Sequence, residues 1–254
     1  MSHHRIEVQD VQYEYPDGHR AISGVSFIIH HGESVGIIGA NGAGKSTLLM
    51  LLVGILSPSA GRIIVGGLPV MKKTLPVIRQ RLGMVFQDPD DQLFMTTVYE
   101  DVAFGPRNYG LDEKEVENRV LEALRMVGIA HLKDRPPFRL SGGEKRAAAI
   151  ATVLSMQPDI LVMDEPTATL DPRSRRRVMA LLREFEHTKI IAGHDLDMVL
   201  ELCDRAIVIR DGKVVADGAA SGILTDAELM DSCGLEVPPA LQDCPVCGAR
   251  KRDA

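Results

Sequence analysis

The octet Gly39-Ala40-Asn41-Gly42-Ala43-Gly44-Lys45-Ser46 limits the fold of this chain more than any other stretch. It follows an apolar run, residues 34–38, that reads as a buried strand, and it opens a helix expected over residues 45 to about 53. A Gly-x-x-x-x-Gly-Lys-Ser turn between strand and helix lets backbone N–H groups close around phosphate oxygens without obstruction by Cβ atoms. The helix adds the positive end of its dipole. Asn41, Gly42, Ala43 and Gly44 then supply backbone donors, Lys45 reaches the β- and γ-phosphates, and the Ser46 hydroxyl ligates Mg²⁺. Thr47 adds a contact to the α-phosphate.

The remaining pattern agrees with an α/β domain built on a largely parallel sheet. Further strands are expected at 62–65, 82–86, 160–163, 189–192 and 206–209. Thr97 and Glu100 have capping-box spacing, so a helix should start there. Residues 112–127 place Val116, Val120, Leu124 and Val127 on one helical face. An Ala-rich helix follows Pro136-Pro137 over about 143–156, so residues 88–157 read as a mainly helical insertion. Pro172 suits the first turn of a helix reaching Phe185. Asp211-Gly212 between two apolar runs is a hairpin signal. Residues 1–220 are expected to form the main domain, and 221–254 a small C-terminal extension of short helical pieces ending in a charged tail.

Two more motifs narrow the chemistry. The run Ile160-Leu161-Val162-Met163 ends in Asp164-Glu165, and strand alternation should aim the two acids differently. Asp164 suits Mg²⁺, held through water, and Glu165 suits a general base acting on the attacking water. Leu140-Ser141-Gly142-Gly143-Glu144 opens the Ala-rich helix, where Ser141 and the Gly142 and Gly143 amides form a second anion cradle. Two phosphate-binding ends in one chain make sense if two copies sandwich each nucleotide.

Composition removes several alternatives. With Lys+Arg 29 against Asp+Glu 35, the net charge of −6 disfavours wholesale nucleic-acid binding. The longest apolar stretch, residues 48–56, falls well short of the roughly 20 residues a spanning helix needs. The N-terminal residues lack the apolar segment of a secretory signal, and four cysteines are too few for a disulfide scaffold, so a cytoplasmic setting is expected.

With these motifs in order, residues 5–220 resemble the ATP-binding subunits of ABC transporters. The resemblance implies a phosphate-loop nucleotidase core with a mainly parallel sheet, an antiparallel β subdomain and an inserted helical subdomain. It implies that Gln87 touches Mg²⁺ or the water and senses a transmembrane partner. His194 would contact the γ-phosphate and Glu165, and Asp171 would link the two sites across a homodimer. Tyr15 looks like the aromatic that stacks on adenine, with Tyr13 on the same expected strand face as the competing choice.

The Tyr15-Pro16-Asp17-Gly18 turn, the run from Val85 through Asp88 to Phe94 and the Glu100-Asp101-Val102-Ala103-Phe104-Gly105-Pro106 segment are similar to cobalt-importer and energy-coupling-factor ATPases. The implied activity is ATP hydrolysis at the cytoplasmic face of a membrane, energising import of cobalt, or alternatively of nickel or a vitamin. A membrane scaffold subunit would dock through about Gln87 to Phe94, where Leu93 and Phe94 are expected as exposed apolar anchors, with substrate-binding membrane subunits beyond it. Glu144, Thr169 and Gly193 depart from the commonest family residues, Gln, Gly and Thr. A DNA- or ribosome-acting ABC ATPase would carry a long coiled coil or a second cassette, and neither is present. A non-hydrolytic clamp is opposed by Glu165 and His194. Cys244-Pro245-Val246-Cys247 has half a zinc-site spacing without partner ligands, His3-His4 and His30-His31 read as surface residues, and Arg173, Arg175, Arg176 and Arg177 read as a solvated basic face.

Overall fold

A computed structural model describes residues 5–168 and 170–242 of the chain. The elements run β1 (Ile6–Glu14), β2 (Arg20–Ile29), β3 (Ser34–Ile38), α1 (Lys45–Leu52), β4 (Ala60–Val65), β5 (Leu68–Pro69), α2 (Leu75–Arg81) and β6 (Leu82–Val85). Then come α3 (Val98–Asn108), α4 (Glu113–Met126), α5 (Gly142–Leu154), β7 (Ile160–Asp164), α6 (Pro172–Glu184), β8 (Thr188–Ala192) and α7 (Leu196–Leu202). The hairpin β9 (Arg205–Arg210) and β10 (Lys213–Ala219) is followed by α8 (Ala220–Thr225) and α9 (Ala227–Ser232).

Six strands form one sheet in the order β10-β9-β3-β8-β7-β6, parallel throughout except for β10. Parallel strands covered on both faces should be apolar at nearly every position, and β3, β7 and β8 are buried along their whole length. Alternation divides their side chains cleanly. Val35, Ile37, Ile160, Val162, Ile190, Ile207 and Ile209 join α1 and the second sheet in one apolar cluster. Leu161, Met163, Ile191, Ala206 and Val208 join the helices of the other face. This two-sided burial fixes the carboxyl ends of β3 and β7, from which the phosphate loop and the acid pair emerge.

The second sheet, β2-β1-β4-β5, is antiparallel. Sequence pattern gave no bounds for β1 and β2, because register shifts after Val8 and Val11 and a left-handed Asp10 (φ 47°) interrupt the alternation. The helices α2 and α7, seven residues each, are too short to show a helical period. The Asp211-Gly212 turn carries φ values of 49° and 70°, as a two-residue hairpin of type I′ requires.

Residues 89–154 are helical apart from their connections. Asp112 caps α4 by accepting from the amides of Lys114 and Glu115. Thr97 caps α3, but the expected box does not close, because Glu100 pairs with Arg107 at 2.6 Å instead. At the C-terminal end α8 and α9 pack on the main core through Leu224, Met230 and Cys233. The Arg210 guanidinium donates to the Ser232 carbonyl at 2.9 Å.

Candidate nucleotide site

The phosphate loop is shaped by close backbone approaches. A Cβ on Gly39 would lie 2.2 Å from the Ile209 carbonyl oxygen, and one on Gly44 would lie 2.5 Å from that of Ala21. Gly44 also takes φ 104°, a conformation that L side chains rarely adopt. Ala43 donates its amide to the Ala40 carbonyl at 3.1 Å, so this expected phosphate donor is engaged within the loop. Lys45 is 7% exposed. Its Nζ donates to the carbonyls of Gly39 at 2.8 Å and Ala40 at 3.1 Å, leaving one of three donors to spare. Burial lowers the Lys45 pKa, and the charges of Glu165 and Asp164 oppose that shift.

Tyr15, Asn41, Gly42, Gly44, Lys45, Ser46, Thr47, Gln87 and Glu165 line one cleft. Tyr15 has left β1, whose last residue is Glu14, so Tyr13 and Tyr15 do not share a strand face as expected. Tyr13 packs on the apolar cluster beneath the sheet. The Tyr15 hydroxyl pairs with Thr47 Oγ1 at 2.9 Å, which fixes the ring beside the loop and engages the hydroxyl expected at an α-phosphate. His19 stacks on Tyr15 with an interplanar angle of 20° and also lines the cleft. Sequence reading missed it, because a lone His after a turn has no motif.

Asp164 lies at the end of β7, 3% exposed. Burial raises its pKa, and a hydrogen bond from Ser46 offsets part of the shift. Its Oδ1 is buried without a hydrogen-bond partner among the described residues. A buried, unpartnered carboxylate oxygen beside a serine hydroxyl is the hard-oxygen set that suits Mg²⁺. The residues fit the ion.

Glu165 is separated from Asp164 by a backbone turn rather than by strand alternation. β7 ends at Asp164, and Glu165 takes φ 50°, a left-handed conformation costing about 1–3 kcal/mol for a non-glycine residue. Its Oε2 accepts from His194 Nδ1 at 2.8 Å. A Cβ on Gly193 would lie 3.2 Å from that same Oε2, so glycine at this position leaves the carboxylate room. Behind His194, Asp195 caps α7 and pairs with Arg175 and Thr167 at 3.0 and 3.1 Å, tying the loop after Glu165 to α6. Arg175 therefore has a partner, while Arg173, Arg176 and Arg177 are exposed.

Gln87 is exposed at the cleft, and Arg146 of α5 fixes its backbone. Arg146 is 2% exposed and donates to the Phe86 and Gln87 carbonyls. Burial lowers its pKa, and Asp88, Asp164 and Glu165 oppose the shift electrostatically. This residue was also missed, although a single arginine within an Ala-rich helical run was the available signal. Arg146→Met should leave both carbonyls without donors at a cost of about 3 kcal/mol. In a chain of this size that corresponds to a fall in Tm of about 9 °C, checked by calorimetry.

Downstream of Gln87, Leu93 is buried, not an exposed anchor, and only Phe94 projects, at 64% exposure. Phe94 meets Phe104 edge to face at 5.0 Å over a groove that Phe86, Tyr109 and Met156 also line. The Asp90–Lys145 pair at 2.6 Å and the Gln92 amide on Ala149 and Thr152 brace this segment against α5.

Ser141, Gly142, Gly143 and Asp171 do not line the cleft around Lys45. Ser141 caps α5, and Asp171 caps α6 by accepting from the amides of Arg173 and Ser174. Hydrogen bonds from the Ser174 hydroxyl and amide hold the Asp171 carboxyl below the usual range. A Cβ on Gly143 would lie 2.6 Å from Ser174 Oγ, so these two helix starts abut. The chain therefore brings its predicted site residues together in two groups rather than one. Thr169, Cys244, Cys247, His3 and His4 lie outside the described residues. Cys203 and Cys233 are buried, and burial pushes the Cys203 thiol up to about 12. No helix among the described residues is long and apolar enough to cross a membrane.

Residues 22–168 match the family model described as ABC transporter. A putative ABC transporter ATP-binding protein of Geobacter sulfurreducens is 62% identical over 98% of this chain and 100% of its own length. The energy-coupling factor transporter ATP-binding protein EcfA of Carboxydothermus hydrogenoformans is 47% identical, over 92% and 87% respectively. Among solved structures, cbiO1 of Clostridium perfringens, part of the ABC transporter complex cbiONQ, superposes with a TM-score of 0.77 at 43% identity. That match covers 89% of this chain and 93% of the other.

Proposed function

The chain belongs to the ABC transporter family of ATPases, and on that premise we propose that it is the ATP-hydrolysing subunit of an energy-coupling-factor importer carrying cobalt. Its similarity to EcfA and to the cbiO1 subunit supports the importer class. Cobalt rests on the run from Val85 to Phe94 and on the cbiO1 likeness, with nickel or a vitamin as the competing cargo.

The observation that carries the mechanism is the separation of the two anion-binding ends. Lys45, Ser46 and Glu165 face one cleft, while Ser141, Gly142 and Gly143 sit elsewhere, at the start of α5. One chain alone therefore offers a γ-phosphate only half of its donors, and a second copy supplies the rest. In a homodimer Lys45 and the loop amides of one protomer hold the triphosphate, and Ser141 of the partner closes on the γ-phosphate. Asp171, whose Oδ2 lies 3.5 Å from a Cβ built on Gly143, would link the two sites across the dimer.

Ser46, Asp164 and Gln87 would hold Mg²⁺, which when bound would neutralise charge on the phosphates. Glu165 takes the proton of the attacking water through Oε1, while Oε2 stays on His194 Nδ1. His194 bridges Glu165 to the γ-phosphate with its other ring nitrogen. Tyr15 stacks on the base. Closure excludes water and completes the charge-stabilising site, where phosphoryl transfer gains most.

Gln87 relays the state of the site to the groove beneath Phe94 and Phe104, and a helix of a membrane scaffold subunit docks there. The protein is then peripheral, at the cytoplasmic face of the membrane, with substrate-binding membrane subunits completing the transporter.

Co-purification with its membrane partners, followed by uptake of labelled Co²⁺ into vesicles, tests the assignment. Uptake that requires Mg-ATP is the expected result. Accumulation of nickel or a vitamin in place of cobalt overturns the cargo, and transport indifferent to ATP overturns the importer reading.

A further inference from the structure

The start of α5 already holds an anion supplied by the chain itself. The Glu144 carboxylate oxygen Oε2 accepts from the Ser141 amide at 2.7 Å and from the Ser141 hydroxyl at 2.9 Å. The Glu144 amide points back to Ser141 Oγ at 3.4 Å, closing a capping box. These hydrogen bonds hold the Glu144 carboxyl below the usual carboxylate range. A glutamine in this place would make the same bonds without the charge, so capping alone does not account for a carboxylate here.

We propose that Glu144 is a positioning residue that sets the ATP threshold for dimer closure, because its carboxylate occupies the donors that Ser141 must give to the partner's γ-phosphate. The inference rests on the reading of Ser141 as a donor across the dimer. A phosphate that takes the Ser141 hydroxyl has to displace a like-charged group, which opposes closure. The Arg135 charge also favours the Glu144 carboxylate, so the carboxylate keeps some electrostatic support when Ser141 releases it. Closure then requires a higher ATP concentration than it would with an uncharged residue at this position.

The test compares the ATP concentration for half-maximal dimerisation in the slow-turnover Glu165→Gln background, followed by analytical ultracentrifugation. Adding Glu144→Gln keeps the cap and removes the charge, so it should lower that midpoint about fivefold, on the order expected for one nearby charge. Adding Glu144→Ala should lower the midpoint as well while reducing Tm, whereas a purely structural cap would leave Gln equal to Glu and make Ala worse. Ser141→Ala should raise the midpoint steeply. If Ser141→Ala acts and Glu144→Gln does not, the role of Glu144 is overturned and the shared site stands. If dimerisation ignores Ser141→Ala, the shared site itself is wrong.

Discussion

Glu165→Gln should slow phosphate release from Mg-ATP about a thousandfold while ATP binding persists. General bases contribute about 10²- to 10⁴-fold, and Gln cannot accept the proton of water. The substitution is otherwise mild. Gln keeps an acceptor for His194 Nδ1, which lies 2.8 Å from the present carboxylate, and it adds no volume beside Gly193. Binding by calorimetry should therefore remain close to wild type, and chains should accumulate as a closed dimer when Mg-ATP is supplied. Hydrolysis near the wild-type rate would remove Glu165 as the base.

Lys45→Ala should weaken ATP binding about a thousandfold, read by calorimetry. Lys45 Nζ has one donor to spare and frees a second when it gives up its longer bond, to the Ala40 carbonyl at 3.1 Å, to the triphosphate. Two charge-assisted hydrogen bonds to the β- and γ-phosphates are worth about 1.5–3 kcal/mol each, and about 4 kcal/mol in total is a factor of a thousand. The fold should tolerate the change. Lys45 carries a desolvation penalty of its own, and it lines the cleft, where water can replace its bonds to the Gly39 and Ala40 carbonyls, so its removal should lower the melting temperature less than Arg146→Met does. Retained affinity would mean that the triphosphate is not held here, whereas a collapsed melting transition would assign the lysine to the fold.

Much of the core was legible because it obeys simple periodicities. The strands that became β3, β7, β8 and β9 are each built around a short apolar run, and the turn residues Asp211-Gly212 admit few conformations. The phosphate loop was legible for a similar reason, since Gly39 and Gly44 answer to backbone approaches that any side chain would block.

What escaped was tertiary. Arg146 and His19 act through the chain segments they meet, at Phe86, Gln87 and Tyr15, and no local pattern announces such meetings. Leu93 and Phe94 are adjacent apolar residues in one turn, and only packing decides that the first is buried and the second exposed. The angle between Asp164 and Glu165 comes from a left-handed backbone turn, which a two-residue alternation argument cannot anticipate. Glu144, a sequence departure at first sight, acquires its meaning only from the distance to the Ser141 hydroxyl.

The division of the donors between two copies is tested most directly by mixing two defective variants. Lys45→Ala lacks the phosphate grip but retains Ser141, and Ser141→Ala retains the grip but lacks the closing hydroxyl. In the Glu165→Gln background neither should dimerise alone with Mg-ATP. Mixed, they can form one complete site from the Lys45 of one chain and the Ser141 of the other. The account predicts a mixed dimer that traps one nucleotide per pair of chains; association no greater than that of either variant alone would contradict it.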